Sequence, residues 1–469
     1  MSIFYIPHDG FAADFIPFYH EACYHLFYLK DYRNIASHGE GTPWFHLVTR
    51  DFVDFEELGE AIPRGAADSQ DLWIFTGSVI EHDKLFHIYY TGHNSHFANT
   101  GKPVQVIMHA TSSDLKSWTK DIEFGLGAPA SSEYEPDDWR DPFVFRNDEQ
   151  SEYWMLIAAR RKNGPSRHRG LIALASSPDL HQWRIREPFW APNLYYTHEC
   201  PDLFRIGEWW YLVYSTFSER HVTHYRMSKS LDGPWLAPAN DAFDTRAYYA
   251  AKTAGDRKKR FAFGWLATRE NEKDDGHWNW GGNLVVHEIM QEVDGSLSVR
   301  VPESVMAPFK TQVPMEFQPL LGQWEIQPQK ISARSVGRFS VLALGNLPDR
   351  CIVEAQILIA ADTANAGLLV RMDDRLENYY QVRLEPGNQR MVFDRWHRNG
   401  DQPFIFERPL KVQPGKPVHL LLLIDGTCIV CYADRKVALS CRMYQHRTGQ
   451  LGLFVSEGFA MFQNVTVKI

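Results

Sequence analysis

Three acidic residues stand at similar distances before strand-like runs rich in aromatic side chains. Asp14 lies ten residues before one run, Asp141 twelve residues before another, and Glu199 eleven residues before a third. Carboxyl groups held close together repel one another, so such a cluster persists mainly where metal binding or acid–base chemistry uses it. Turn or helix-cap aspartates would also satisfy this spacing. A shared acidic site is therefore predicted if the three positions are equivalent in the fold.

The neighbours of these carboxyls give them different chemistry. Arg140 precedes Asp141, and a guanidinium beside a carboxylate helps to keep it ionised. Glu199 stands among bulky residues, where loss of solvent would raise its pKa towards that of a general acid. Glycoside hydrolysis needs one ionised carboxylate at the anomeric carbon and one protonated acid near the leaving oxygen. The sequence offers both kinds of group.

The elements that must position these groups recur along the first 300 residues. Five strand-like runs start 62, 67, 57 and 50 residues apart, and four of them are followed by a turn with an Asp ahead of an aromatic residue. The runs are Tyr24–Leu29, Phe86–Thr91, Tyr153–Ala158, Trp210–Ser215 and Arg260–Trp265. Such a repeat is typical of sequential propeller blades, whose first strands surround a central axis. Five blades are predicted, with the carboxyls facing one funnel.

The sequence pattern changes after residue 302. Proline-punctuated segments predict a connector over residues 306–320, and alternating strands with an Asp425-Gly426 hairpin turn follow it. We therefore predict an all-β protein: a five-bladed β-propeller over residues 1–305 and a C-terminal β-sandwich over residues 321–469.

Composition limits the function classes. The 469 residues carry 49 Lys and Arg against 58 Asp and Glu, a net charge of −9, with no basic block. This balance argues against nucleic-acid and anionic-membrane partners. The six cysteines are sparse, and the first residues lack a basic segment followed by an apolar one. We expect a cytoplasmic protein, and whether it forms a homo-oligomer is left open.

Three motifs carry a family resemblance. Phe75-Thr-Gly-Ser78, Trp139-Arg-Asp-Pro142 and Glu199-Cys-Pro-Asp-Leu-Phe204 occur in the order found in glycoside hydrolase family 32, the invertase, inulinase and levanase family. The resemblance extends over roughly residues 10–300 and continues as a similar sandwich. It implies retaining hydrolysis or transfer of β-fructofuranosyl units, with no cofactor and no metal.

By the same resemblance, Glu199 is the acid/base, Asp141 stabilises the transition state and Asp14 is the nucleophile. Arg140 lines the fructose subsite. The residues implied to bind substrate beside it are Trp44, Phe75 and Ser78. The loop that contains Trp278, Trp280, Gly281 and Gly282 could close the funnel over a sugar by stacking, or could simply fill the core.

The nucleophile motif departs from the family pattern. The family usually has Asn-Asp-Pro-Asn-Gly, whereas here the segment reads Ala12-Ala-Asp-Phe-Ile-Pro-Phe18 and only Asp14 remains. Asp9 is a weaker alternative nucleophile. Two other functions stay open: an inverting arabinofuranosidase or xylosidase similar to family 43, and a non-catalytic sugar-binding protein. The substrate class expected is a short oligosaccharide, with its linkage undetermined.

Metal-like spacings also occur but favour no site. His93 and His96 are three residues apart, as are Cys428 and Cys431. The two cysteines would point to opposite faces of a strand, and no second cysteine pair completes a tetrahedral set. In the sandwich, Arg395 and Trp396 could contact a ligand or pack.

Overall fold

The computed structural model describes residues 2–130, 132–398 and 404–469. Within these ranges the strands form five propeller blades followed by a two-sheet sandwich, which confirms the predicted fold class. No helix in this part of the chain is long and apolar enough to cross a membrane.

Each blade is an antiparallel sheet whose strands follow one another in sequence. The first blade contains β1 (Phe11–His20), β2 (Cys23–Asp31), β3 (Trp44–Thr49) and β4 (Phe55–Ile62), with helix α1 (Ile35–His38) between β2 and β3. The second contains β5 (Trp73–His82), β6 (Leu85–His93), β7 (Gln105–Ser112) and β8 (Thr119–Leu126). The third contains β9 (Tyr134–Asn147), β10 (Glu152–Arg161), β11 (Gly170–Ser177) and β12 (Arg184–Ile185).

The last two blades complete the ring. The fourth contains β13 (Glu199–Ile206), β14 (Trp209–Thr216) and β15 (Val222–Ser228). The fifth contains β16 (Tyr248–Gly255), β17 (Arg260–Arg269), β18 (Trp278–Gln291) and β19 (Leu297–Arg300). Single 3₁₀ turns occur at Ser95–Phe97, Ser166–His168 and Glu270–Glu272.

The first strands of the blades surround the axis. Each contacts the first strand of the next blade, and β16 returns to contact β1. Ala12 also pairs with Gly282, so the fifth and first blades share one sheet. The ring is therefore closed by backbone pairing between residues about 270 positions apart in the chain.

The sandwich consists of two seven-stranded sheets that follow helix α2 (Glu303–Met306). One sheet contains β20 (Gln318–Leu321), β23 (Phe339–Asn346), β25 (Asn365–Met372), β26 (Tyr379–Glu385), β27 (Arg390–Trp396), β28 (Ile405–Pro409) and β32 (Gln450–Ser456). The other contains β21 (Trp324–Gln327), β22 (Lys330–Arg334), β24 (Arg350–Ile359), β29 (Val418–Asp425), β30 (Cys428–Ala433), β31 (Val437–Arg442) and β33 (Phe459–Lys468). Strand β24 alternates buried and less buried residues over its second half, as a strand with one core face should.

The segment predicted as a connector forms backbone hydrogen bonds with the last strand of the sandwich. The backbone N–H of Lys310 donates to the carbonyl of Ile469, and that of Val313 donates to Val467. Strand β20 begins at Gln318, inside the predicted linker. Prolines interrupt regular structure, so they predict a connector. They are also tolerated along a sheet edge, where this segment lies.

Polar contacts fix the sandwich to the fifth blade. The Arg442 guanidinium donates to the carbonyls of Leu266 and Ala267 and to the side chain of Asn283, at 2.7 to 3.0 Å. Ser440 donates through its backbone N–H to Asp244 at 2.7 Å. These groups are buried, so losing one partner would leave the other unsatisfied.

Candidate active site

A cavity of about 610 Å³ opens at the axis of the propeller. The three carboxyls predicted from the spacing, those of Asp14, Asp141 and Glu199, all line it. They lie on β1, on β9 and at the start of β13, the axial strands of three different blades. The rest of the wall is largely aromatic: Trp73, Phe75, Phe217, Tyr249, Trp265, Trp278 and Trp280.

Four of the axial strands each contain a β-bulge where they border the cavity. The ladders are irregular at Asp14, Asp141, Cys200 and Ala250. These four residues have φ values of 44°, 58°, 51° and 49°. A positive φ costs free energy for residues other than glycine and persists where the surrounding structure enforces it, often at functional sites. Four blades therefore carry the same strained feature at the funnel.

Asp14 is held by its neighbours from two other blades. Its Oδ2 accepts from the Thr76 hydroxyl at 2.8 Å and its Oδ1 accepts from the Trp265 indole N–H at 3.0 Å. Burial, and next the charges of Asp141 and Glu199, raise the pKa of Asp14 to about 7, while the two hydrogen bonds oppose this shift. Both oxygens are fixed in direction, as a nucleophile requires.

Asp141 is anchored through the backbone of the next blade. Its Oδ2 accepts from the Cys200 backbone N–H at 3.0 Å, and its own N–H donates to the Thr91 hydroxyl at 2.8 Å. Burial raises the pKa of Asp141 above its ordinary value even though Arg140, 3.8 Å away, lowers it. The sequence expectation considered only the guanidinium; in the structure, burial outweighs it.

Glu199 is held between a cation and a phenol. Its Oε1 accepts from the Arg140 guanidinium at 3.0 Å and its Oε2 accepts from the Tyr249 hydroxyl at 2.5 Å. Burial raises the pKa of Glu199, with Arg140 opposing and Asp141 adding to the shift. A raised pKa is the direction that a general acid needs. The three carboxyls thus share one pocket but have different partners.

Three of the five predicted binding residues line the cavity, and two do not. Phe75, Arg140 and Trp280 are on the wall. Trp44 is fully buried on β3, away from the axis, and its indole N–H donates to the carbonyl of Phe75. Ser78 is buried and accepts from the backbone N–H of Val144. We therefore correct the expectation for these two residues: they support the wall from behind.

Arg33 holds the start of strand β18, which contains Trp278 and Trp280, against the pocket. This guanidinium donates to the carbonyl of Trp280 at 2.7 Å, pairs with Asp31 at 3.1 Å and stacks 3.4 Å from the centre of the Phe11 ring. Gly281 has a φ of +78°, and a Cβ there would lie 3.3 Å from the Ala12 carbonyl oxygen. The expectation of a loop is wrong for Trp278, Trp280, Gly281 and Gly282, because they form the irregular start of strand β18, where Trp278 and Trp280 line the cavity.

Several site residues were missed by reasoning from sequence. Thr76 lies within the Phe75–Ser78 motif and was passed over. Tyr249 and Trp265 belong to the fifth blade, whose approach to β1 depends on closure of the ring. Residues 247–250 occupy the axial position of their blade that Glu199 and Cys200 occupy in theirs. This equivalence could have predicted that Tyr249 lies at the site.

The remaining candidates lie elsewhere. Asp9 is exposed and pairs with His8, and it does not line the cavity. His93 stacks on Phe75 at 4.5 Å, which supports the wall. Among the described residues, no group of three or more His, Cys, Asp and Glu side chains could hold a metal ion.

A funnel of carboxyls and aromatic rings at the axis of a five-bladed propeller defines a glycoside hydrolase site. Residues 7–296 match the N-terminal domain of glycosyl hydrolases family 32, and residues 327–469 match the C-terminal domain of that family. The chain therefore belongs to glycoside hydrolase family 32.

Characterised relatives match over nearly the whole chain. A levanbiose-producing levanase of Bacillus subtilis (strain 168) is 25% identical, over 96% of this chain and 87% of that protein. A sucrose-6-phosphate hydrolase of Escherichia coli is 23% identical, over 94% of this chain and 88% of that protein. Fructan 1-exohydrolase IIa from Cichorium intybus superimposes with a TM-score of 0.72 at 17% identity, covering 98% and 96% of the two chains, which shows a shared fold.

Proposed function

We propose that this protein hydrolyses β-fructofuranosyl bonds in short fructosides, with retention of configuration at the anomeric carbon. The observation that carries the proposal is the convergence of Asp14, Asp141 and Glu199 in one pocket with three different sets of partners. The levanase and sucrose-6-phosphate hydrolase relatives support fructosides as the substrate class.

The first half of the reaction uses two of the carboxyls. The carboxylate of Asp14 attacks the anomeric carbon while Glu199 gives its proton to the leaving oxygen, so that the glycosidic bond breaks as the fructosyl–Asp14 ester forms. Ionised Asp14 is fixed by Thr76 and Trp265, and its two hydrogen bonds favour the charged form needed for attack.

The second half regenerates the enzyme. Glu199, now ionised, takes a proton from a water molecule that attacks the same carbon, and fructose and free Asp14 result. Arg140 stabilises ionised Glu199 at 3.0 Å, which assists its switch from acid to base. Asp141 binds sugar hydroxyls and stabilises the positive charge that develops on the ring in the transition state.

The size of the site agrees with a short substrate. A cavity of about 610 Å³ falls within the range that encloses small ligands. The aromatic wall provides faces for stacking the apolar sides of sugar rings.

The test is sugar release from a panel of short β-fructofuranosides and an α-L-arabinofuranoside by the wild type and by Asp14→Asn and Glu199→Gln. Fructose released by the wild type and lost in both variants is the expected result. Release of arabinose would assign the family 43 type of reaction, and full activity in Asp14→Asn would overturn the nucleophile assignment. A protein that only binds sugars would release none but would gain thermal stability with them.

A further inference from the structure

A row of alternating charges leads from Glu199 into the third blade. Arg140 donates to Oε1 of Glu199 at 3.0 Å and also pairs with Asp138. Oδ2 of Asp138 lies 3.4 Å from Nε of Arg160, and the same Nε donates to Oε2 of Glu135 at 3.2 Å. Each group therefore has an oppositely charged neighbour on the way to Glu199.

An irregularity between β9 and β10 creates this arrangement. Between two consecutive ladder pairs, at Trp139 and at Tyr134, strand β9 has four intervening residues, 135–138, while β10 has only Arg160. Such an insertion redirects side chains that regular pairing would separate. The carboxyls at the two ends of the four-residue segment therefore reach the same guanidinium.

Burial strengthens the interactions within this row. Arg160 is fully buried, and Asp138 and Arg140 are 8% and 9% exposed. The ring of Tyr196 covers the Arg160 guanidinium, whose central carbon lies 3.3 Å from the ring centroid. Charges removed from water interact more strongly than exposed pairs do. A change of charge at these positions should therefore alter the electrostatic surroundings of Glu199.

Asp138 and Glu199 share one guanidinium. Nη1 of Arg140 faces Asp138, and Nη2 faces Glu199. Arg140 and Glu199 line the catalytic cavity, whereas Asp138 and Arg160 do not. Asp138 and Arg160 can therefore act on the reaction only through Arg140.

Other groups around Glu199 also influence its protonation. The titratable side chains that border the same cavity are Asp14, Asp141, Cys200, His221 and Tyr249. Arg140 opposes the rise in the pKa of Glu199 that burial causes. Because all of these groups remain when Asp138 or Arg160 is replaced, a change in the titration of Glu199 would come through the ion-pair row.

The far end of the row is also closed by ion pairing. Arg169 lies 3.5 Å from Glu135. Asp137 is directed elsewhere, because its Oδ1 accepts from the backbone N–H of Val104 at 3.2 Å. The charges that face Arg160 are therefore those of Asp138 and Glu135.

We propose that Asp138 and Arg160 are positioning residues that set how strongly Arg140 binds Glu199, and thereby the pH range in which the enzyme works. This inference rests on the proposed function, in which Glu199 is the acid/base. Asp138 draws Arg140 away from Glu199, and Arg160 weakens that attraction by pairing with Asp138. The two residues therefore act in opposite directions.

The experiment measures the pH dependence of kcat/KM for a β-fructofuranoside in the wild type and in variants of the two residues. The limb at high pH reports loss of the Glu199 proton. In Asp138→Asn, Arg140 binds Glu199 more strongly and stabilises its charged form, so this limb should move to lower pH by about half a unit or more. In Arg160→Gln it should move to higher pH by a similar amount, and Arg160→Lys should move it less.

Arg161→Gln is the matched control. Arg161 is the next residue of β10, and its guanidinium pairs with Glu133 at 3.3 Å. The limb at high pH should stay in place in this variant. Opposite shifts in Asp138→Asn and Arg160→Gln would support the proposal, and shifts in the same direction, or none, would overturn it.

Glu135→Gln keeps the proposal testable if Arg160→Gln does not fold. The Glu135 side chain is one-third exposed, so this substitution is milder. Without Glu135, Arg160 is left to Asp138, which then competes less for Arg140. The limb at high pH should move to lower pH, by less than in Asp138→Asn, and a move to higher pH would overturn the proposal.

Infrared titration of Glu199 separates this inference from the proposed function. The C=O band of the protonated carboxyl is assigned by its loss in Glu199→Gln and is followed as the pH changes. If no fructoside is cleaved but the band titrates at a lower pH in Asp138→Asn and at a higher pH in Arg160→Gln, the proposed function fails and the positioning role stands. A band that titrates unchanged in both variants would overturn the positioning role, whether or not fructosides are cleaved.

Discussion

Trp265 donates its indole N–H to Oδ1 of Asp14 at 3.0 Å, although 251 residues separate them in the chain. The bond joins β17 of the fifth blade to β1 of the first, at the point where the ring closes. Thr76, from the second blade, holds the other oxygen. The orientation of the proposed nucleophile thus depends on the closed propeller.

Thr76→Val should move the acid limb of the pH profile to higher pH. The Thr76 hydroxyl lowers the pKa of Asp14 by donating a hydrogen bond to its charged form. Valine has the same shape but no hydroxyl, so the substitution raises the pKa of Asp14 above about 7. The pH dependence of kcat/KM measures this shift. Thr119→Val, at an exposed position of β8, is the control, and an acid limb that moves to lower pH in Thr76→Val would contradict the assignment.

Asp141→Asn should shift the same limb in the opposite direction. The negative charge of Asp141 raises the pKa of Asp14, so its removal lowers that pKa and extends activity to more acidic pH. The maximal kcat should also fall by roughly 10²–10³-fold, because transition-state stabilisation is lost. A pH profile measured beside that of Thr76→Val checks both directions, and an unchanged limb would show that the two carboxyls do not interact.

Asp14→Asn should stabilise the folded protein at alkaline pH. The pKa of the Asp14 carboxyl is about 4 in the unfolded chain and about 7 in the folded protein. Asp14 therefore destabilises the fold as the pH rises from about 4 to 7. The melting temperature should therefore rise by roughly 2–4 °C at pH 8 and change little at pH 4. Calorimetry at the two pH values tests this, and an equal or lower melting temperature at pH 8 would contradict the raised pKa.

Glu199→Gln should lose activity according to the leaving group. Loss of a general acid costs about 10²–10⁴-fold in rate for a sugar leaving group that needs its proton. A p-nitrophenyl β-fructofuranoside leaves without protonation, so formation of the fructosyl enzyme from it should be much less affected. Burst kinetics with the two substrates measure this step, and equal losses would assign Glu199 a structural role.

Arg33→Gln should raise KM with a smaller effect on kcat. The guanidinium fastens the Trp280 carbonyl over the pocket and contacts none of the three carboxyls, so its loss loosens the stacking wall. We expect KM to rise about three- to tenfold, with Arg33→Lys intermediate. Steady-state kinetics separate the two parameters. A large fall in kcat at constant KM would show that Arg33 acts on the chemical step.

The axial carboxyls could be predicted because blades repeat. Offsets of ten to twelve residues before three of the strand-like runs identified equivalent positions in the first, third and fourth blades, and the structure brings Asp14, Asp141 and Glu199 to one cavity. The fold class followed from the same repeat and from the alternation in the last 150 residues.

The supporting wall could not be predicted from motifs alone. Ser78 shares a motif with Phe75, but the bulge between Phe75 and Gly77 breaks the two-residue alternation that would tell which side chains face the axis. Trp44 is the first residue of β3, the third strand of its blade, and its side chain is fully buried away from the cavity. The hydrogen bonds of Trp265 to Asp14 and of Tyr249 to Glu199 form only when the blades close into a ring, and local sequence patterns do not predict which blades come together.

The most direct test is the stereochemistry of fructosyl transfer to methanol. The wild type is incubated with a cleavable β-fructofuranoside in dilute methanol, and the methyl fructofuranoside formed first is identified by NMR. Double displacement through Asp14 predicts only the β anomer, with no product from Asp14→Asn. Formation of the α anomer, or of the β anomer by Asp14→Asn at the wild-type rate, would contradict a fructosyl–Asp14 intermediate.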